Sequence, residues 1–123
     1  GRLTRTDDRY SSEAFDRCRR THLLAGPLAG VDCVDVWGVG RTGKPWLRWL
    51  QQQGVAVRRG YDVSPRKQGV TIHGVPIAHP DSLPDADGTP LLIAVGAADA
   101  RRVIAPQLRA RRHEIGGDAW FVS

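Results

Sequence analysis

The chain has 123 residues, 41% of them hydrophobic and 25% charged, with a formal net charge of +5. Its length allows one domain with a hydrophobic core and excludes two of ordinary size. The balance of apolar and charged residues is typical of a globular protein, and no apolar run approaches the roughly 20 residues of a membrane span. The N-terminal residues are polar and charged and show no signal-peptide pattern. These features predict a cytoplasmic protein.

The positive charge comes almost entirely from arginines that are spread along the chain. They do not alternate with aromatic residues, so they favour solvated faces over a nucleic-acid surface. Cys18, Cys33 and the histidines follow no metal-ligand spacing, and we predict no metal site. Methionine is absent, even at position 1, and we therefore expect the sequence to be a segment of a longer protein.

The first predicted element is a helix that begins at Ser11 or Ser12, either of which can cap its N-terminus. Gly26 and Pro27 end this helix. Apolar patterns and glycine or proline breaks then predict the remaining elements, which are strands at residues 33–37, 55–61, 75–78, 91–95 and 120–122 and helices at residues 42–53 and 98–112.

Strands separated by helices of about a dozen residues predict a parallel sheet with right-handed crossovers. The predicted fold class is α/β: a Rossmann-like domain of three layers, with a mostly parallel sheet of about five strands in the order 3-2-1-4-5 and an extra N-terminal helix. In the last helix the predicted inward side chains are Val103, Ile104 and Leu108. Asp35 conflicts with the apolar pattern of the first strand, so either this strand is less enclosed than usual or the carboxylate is paired.

The most informative motif is the string GVGRTG, which begins at Gly38 and matches the pattern GxGxxG between a predicted strand and a predicted helix. Gly38 permits a tight turn, Gly40 allows a diphosphate to approach the backbone, and Gly43 lets the helix pack closely on the strand. Free amides at the helix N-terminus, including those of Arg41 and Thr42, then face the anion.

Two residues outside the glycine loop complete the candidate cofactor site. Asp62 ends the second predicted strand, where an acid accepts ribose hydroxyls in dinucleotide-binding domains. Gly96 follows the strand at 91–95 and would form the opposite wall of the crevice. The predicted ligand is a dinucleotide or a nucleotide-sugar. The glycines also serve simple packing, so a domain of this shape without a ligand stays an open alternative.

The glycine loop also reads GxxxxGK, which is the start of a P-loop. The next residue should be a serine or threonine that binds magnesium, and it is Pro45. The sequence therefore argues against a nucleoside triphosphatase. Arg41 and Lys44 stay candidate phosphate contacts, with solvated surface as the alternative for Lys44.

Three strings carry a family resemblance: VWGVGRTGK at residues 36–44, YDVSPRKQG at 61–69 and HGVPI at 73–77. In this order, and followed by AVG at 94–96 and an arginine-rich helix, they resemble the Rossmann-like domain at the C-terminus of certain bacterial family 2 glycosyltransferases. The resemblance covers nearly the whole chain.

This resemblance implies that residues 1–30 are a linker and N-terminal helix leaving a preceding catalytic domain, and that residues 31–123 form a Rossmann-like domain of the nucleotide-binding type. The expected partner is the transferase catalytic domain of the parent chain, which acts in glycan assembly. The acidic metal motif of such transferases is missing from this sequence. The segment itself is therefore expected to be a non-catalytic accessory domain, with a nucleotide or nucleotide-sugar pocket at the glycine loop.

Two other function classes stay open. One is the cofactor-binding half of an NAD(P)-dependent oxidoreductase, although the sequence has no Tyr-x-x-x-Lys pair to carry hydride chemistry. The other is a protein-interaction module that contacts the transferase core or a second copy of itself, which makes a homo-oligomer. No nucleic-acid or membrane partner is predicted.

Overall fold

The computed structural model describes residues 20–96 and 99–122. The chain divides into two units, Gly1–Gly30 and Val31–Ser123. In the first unit residues 20–25 are helical, and Gly26 begins the turns that follow, as predicted. The predicted helix start at Ser11 or Ser12 lies outside the described residues. In the part of the chain that is described, no helix combines the length and the apolar character that crossing a membrane requires.

The second unit is an α/β domain built on one six-stranded sheet. Its strands have the order β3-β4-β2-β1-β5-β6, and all neighbours are parallel except the antiparallel pair β3 and β4. This mostly parallel sheet confirms the predicted Rossmann-like fold. Its elements in chain order are β1 (Cys33–Trp37), α1 (Gly43–Gln52), β2 (Ala56–Tyr61), β3 (Thr71–Ile72), β4 (Val75–Ala78), β5 (Leu91–Ile93), α2 (Ala100–Ala110) and β6 (Ala119–Phe121).

The predicted strand order is confirmed for the five predicted strands, which correspond to β4-β2-β1-β5-β6. The sixth strand, β3, lies in the predicted loop 63–74 and corrects the expected count. It pairs with β4 through a turn in which His73 and Gly74 have φ values of 50° and 80°. A tight hairpin turn needs two left-handed residues, and histidine in the first of them is not a recognised sequence signal.

The two helices of the described domain cover opposite faces of the sheet. The β1-α1-β2 connection moves along the sheet in one direction and β5-α2-β6 moves in the other, so right-handed crossovers place α1 and α2 on different faces. Under α2 lies a core that includes Trp37, Ile93 and Ile104. The inward residues of α2 follow an i, i+4, i+8 spacing at Ala100, Ile104 and Leu108. Val103 falls outside this spacing and is 59% exposed, so its predicted inward position is wrong.

Asp35 is both buried and paired. Of the two alternatives for this residue, a less enclosed strand or a paired carboxylate, the second is therefore correct. The residue is 4% exposed in the middle of β1. Arg58 donates two hydrogen bonds to its carboxylate, from Nε to Oδ1 at 3.2 Å and from Nη2 to Oδ2 at 2.7 Å. The carboxylate of Asp35 raises the pKa of the Arg58 guanidinium above its ordinary value. Arg58 also reaches the exposed carboxylate of Asp87 at 3.3 Å.

The pairing of Arg58 with Asp35 lies at a β-bulge in β2. Val34 pairs with Val57, but Asp35 pairs with Arg59, so Arg58 is the extra residue. One extra residue reverses the alternation of side chains along β2. Tyr61 therefore joins the core under α2, where it is fully buried, and burial raises the pKa of its phenol.

Replacing Arg58 by glutamine should strongly destabilise the domain, because it leaves the Asp35 carboxylate buried without a cation. We expect the free energy of unfolding to fall by about 2 kcal/mol, less than for a fully enclosed pair since Arg58 is partly exposed. Asp87→Asn removes only the exposed partner and should cost less than about 1 kcal/mol. Urea denaturation measures the free energy of unfolding of both variants. Equal losses would show that the buried pair stabilises the domain no more than the exposed one.

Candidate functional site

Strands β1, β2 and β5 are parallel neighbours, so their carboxyl ends meet at one edge of the sheet. The chain leaves β1 at Gly38, whose amide donates to the carbonyl oxygen of Tyr61 at 2.7 Å. On the other side of β1, the amide of Ala94 donates to the carbonyl oxygen of Trp37 at 2.8 Å. The glycine loop, which is residues 38–43, therefore begins between the ends of β2 and β5.

Two of the three motif glycines are required by packing. A Cβ atom on Gly43 would lie 1.7 Å from the carbonyl oxygen of Gly38, so the first residue of α1 must be glycine for the helix to start here. Gly38 has a φ of 105°, and a Cβ atom there would lie 2.5 Å from the carbonyl oxygen of Ala94. These contacts agree with the turn and packing roles that the sequence predicts for the two glycines.

Gly40 is different, because no backbone atom of the described residues crowds it. The nearest atom to a Cβ built on Gly40 would be Nζ of Lys67, at 3.0 Å. The carbonyl oxygen of Gly40 accepts the amide of Lys44 at 2.9 Å and so joins the first turn of α1. The backbone at Gly40 is thus open to anything that can displace the end of a flexible side chain.

The amides at the start of α1 are available to a ligand. Within the described part of the chain, the N–H groups of Gly40, Arg41, Thr42 and Gly43 donate no hydrogen bond, and the Thr42 side chain does not cap the helix. Unpaired amides at a helix N-terminus carry the positive end of the helix dipole and suit an anion. Arg41 and Lys44, the predicted phosphate contacts, both have exposed side chains.

Asp62 lies beside the glycine loop, as its position after β2 predicts. Its Oδ2 accepts the amide of Val39 at 3.2 Å, and its Oδ1 accepts the amide of Ser64 at 2.8 Å. Oδ2 also lies 3.9 Å from Nζ of Lys67. The carboxylate therefore ties the loop after β1 to the loop after β2, and its oxygens keep further lone pairs for hydroxyl donors.

Gly96 also belongs to this edge of the sheet. It is exposed, and a Cβ atom there would lie 2.8 Å from Oγ1 of Thr42. The structure thus brings together the predicted site residues, which are Gly38, Gly40, Arg41, Thr42, Gly43, Asp62 and Gly96. Residues 97 and 98, which follow Gly96, lie outside the described residues.

A pocket of about 290 Å³ opens next to these residues, between the ends of β1 and β2 and the first turns of α2. Its walls include Asp62, Val63, Val95, Val103 and Gln107. Val63 is 66% exposed and Val103 is 59% exposed. The site therefore combines a polar rim with apolar walls whose valine side chains are exposed in this structure.

Sequence reasoning missed three parts of this site. The sequence pattern places Val63 in a loop and Val103 in the core. The position of Val63 has a usable signal, because an apolar residue directly follows the acid that ends β2. Lys67 gave no signal, because its place over Gly40 depends on the path of the loop after β2. Among the described residues no group of histidine, cysteine, aspartate or glutamate side chains is arranged to hold a metal ion.

The fold and the site define a Rossmann-like domain with a glycine loop, an acid at the end of β2 and a pocket at the carboxyl edge of the sheet. The structure is similar to that of RSP, a Rex-family repressor, with a TM-score of 0.58, 13% identity, and coverage of 83% of this chain and 56% of that one. It is also similar to RSP in complex with β-NADH, with a TM-score of 0.55, 15% identity, and coverage of 82% and 57%. The chain spans little more than half the length of those structures. No family model and no curated protein matches the sequence.

The expected kinship with family 2 glycosyltransferases is wrong, because the similar structures reported above are those of a Rex-family repressor. The role in glycan assembly and the transferase catalytic domain as a partner lose their basis with it. The string at residues 36–44 is weak evidence of kinship, because its Gly38 and Gly43 are fixed by packing between strand and helix, which is a property of the fold. Identities of 13% and 15% likewise show a shared fold for this chain and RSP.

The two kinds of glycine should respond differently to a single added methyl group. Gly43→Ala forces a Cβ atom against the carbonyl oxygen of Gly38 and should cost at least about 3 kcal/mol of stability. Gly40→Ala displaces the end of the Lys67 side chain and should leave the stability within about 0.5 kcal/mol, since no other atom of the described residues crowds this position. Thermal and urea unfolding of both variants tests this; a large loss in Gly40→Ala would mean that this glycine, too, is a packing requirement.

Proposed function

We propose that residues 31–123 bind a dinucleotide, with its diphosphate on the amides of residues 40–43, an adjoining ribose at Asp62 and its base in the pocket. The observation that carries this proposal is the position of unpaired amides beside an acid and an apolar cavity, all at the carboxyl edge of a parallel sheet. Ligands of open α/β sheets bind at this edge.

The diphosphate part rests on Gly40. Packing accounts for Gly38 and Gly43 without any ligand. It does not account for Gly40, whose Cβ would meet a lysine side chain and no other atom of the described residues. A missing side chain at this point lets an anion reach the amides of the loop and the first turn of α1. An apolar ligand would gain nothing from these amides.

The ribose and base parts rest on Asp62 and the pocket next to it. A carboxylate whose oxygens keep free lone pairs accepts ribose hydroxyls. The valine walls of the pocket suit the faces of a flat ring, and burying the exposed side chains of Val63 and Val103 under a ring is favourable. Asp99 and Gln107 line the same pocket and supply hydrogen-bonding groups to the edge of a base.

The likeness to RSP, which was solved with β-NADH, supports a dinucleotide over a nucleotide-sugar and favours the cofactor-binding alternative over the accessory domain of a transferase. NADH is therefore the first ligand to test. The proposal is for binding alone and includes no chemical step.

NADH should bind the purified protein, and Gly40→Leu should abolish binding, because the leucine side chain occupies the position of the diphosphate. Isothermal titration calorimetry measures the affinity, and quenching of tryptophan fluorescence offers a second reading since Trp37 lines the pocket. Ala56→Leu, at an exposed position at the start of β2, is the control for added bulk and should bind NADH like the original protein.

Two outcomes would contradict the proposal. One is the absence of binding to NADH at millimolar concentration. The other is unchanged affinity in a folded Gly40→Leu variant, which would remove the glycine loop from the site. A titration with a nucleotide-sugar in parallel tests the other ligand that the glycine loop suits, and tighter binding of that ligand would replace the dinucleotide.

The base subsite has its own matched pair of variants. Val63→Gln places a polar group on the pocket wall and should weaken NADH binding about fivefold, since part of the apolar burial is lost. Val70→Gln changes another exposed loop valine that does not line the pocket, and its affinity for NADH should not change. Equal affinities in the two variants would exclude the pocket as the place of the base.

A further inference from the structure

The ammonium group of Lys67 lies over the glycine loop. Its Nζ is the nearest atom to the Cβ position of Gly40, at 3.0 Å, although Lys67 is 27 positions further along the chain. The side chain is 30% exposed. Lys67 thus covers the one motif glycine that packing leaves open.

The backbone of Lys67 is held in place by the same acid that lines the site. Asp62 accepts the amide of Ser64 at 2.8 Å, and the carbonyl oxygen of Ser64 accepts the amide of Lys67 at 3.0 Å. The side chain of Gln68 donates to the carbonyl oxygen of Asp62 at 3.4 Å. These bonds close the turn after β2 and direct the chain back toward the glycine loop.

The hydrogen-bonding capacity of this ammonium group is not used within the described residues. Its nearest anion is Oδ2 of Asp62 at 3.9 Å, which is longer than a hydrogen bond. The ammonium has three donors, and the amides of Gly40 to Gly43 beside it are also unpaired. Among the described residues, the carboxylate of Asp62 is thus the anion nearest to these positive groups, and it already accepts hydrogen bonds from two amides.

We propose that Lys67 is the side-chain cation of the diphosphate subsite, and this inference rests on the proposed dinucleotide binding. The ligand displaces the ammonium from the face of Gly40, and a small rotation of the flexible side chain brings its donors onto a phosphate oxygen. The bond between an ammonium and a phosphate oxygen is charge-assisted and stronger than one from a neutral amide. Lys67 therefore adds a charged contact to a site that otherwise holds the diphosphate by backbone amides.

The test compares Lys67→Gln, Lys67→Arg and Arg109→Gln by calorimetric titration with NADH, NADPH and ADP. Lys67→Gln should weaken all three ligands about tenfold, because each contains the diphosphate. Lys67→Arg keeps the charge and should stay within about threefold of the original protein. Arg109→Gln removes one exposed charge at the C-terminal end of α2 and should leave the affinities unchanged, which controls for net charge.

The outcomes separate this inference from the proposed function. If the original protein binds none of the three ligands, the proposed function fails. If it binds NADH and Lys67→Gln binds NADH equally well, only the role of Lys67 is overturned. A loss confined to NADPH overturns it as well, because it places the ammonium at the ribose 2′-phosphate. Since Lys67 packs in no core cluster, the melting temperature should be the same in all variants.

Discussion

Helix α1 begins in direct contact with the turn that ends β1, and the carboxyl edge of the sheet is organised around this contact. Gly43 fits against the carbonyl oxygen of Gly38 only because it has no side chain. The close approach fixes where the helix starts and which way its first amides point. It also sets the position of Val39, whose amide bonds to Asp62. The anion-binding geometry of the loop is therefore a consequence of how closely a helix and a strand can pack.

The bulge in β2 also determines the arrangement of the site. With a regular β2, the residues at its end would point to the opposite faces of the sheet. The extra residue, Arg58, reverses this order, so that Tyr61 enters the core and the next residue, Asp62, comes beside the glycine loop. The same residue neutralises the buried Asp35. One local irregularity thus supports both the stability of the sheet and the placement of its acid.

Packing requires some of the residues at this site and does not require others. Gly38 and Gly43 are needed by any domain with this turn, so a sequence that contains them resembles many families with the same fold. This explains why the string at residues 36–44 is compatible with a glycosyltransferase domain, whereas the solved structures reported above belong to a Rex-family repressor. Gly40, Asp62 and the valine-walled pocket are not required by packing in this way, and the dinucleotide proposal is built on them.

The sequence by itself determined the α/β class, the order of the five predicted strands, the glycine turn and the place of Asp62. These features follow from side-chain periodicity, from glycine and proline breaks and from the handedness of crossovers, all of which are local. Only the tertiary structure decided the β3 hairpin, in which His73 is left-handed. It also decided that Asp35 pairs with Arg58 at a bulge, and that Val63 and Val103 are exposed. It also decided that Lys67 lies over Gly40. Each of these features depends on contacts between residues that are distant in the chain or on the path of an irregular loop. Such contacts and loop paths produce no periodic pattern of residues in the sequence.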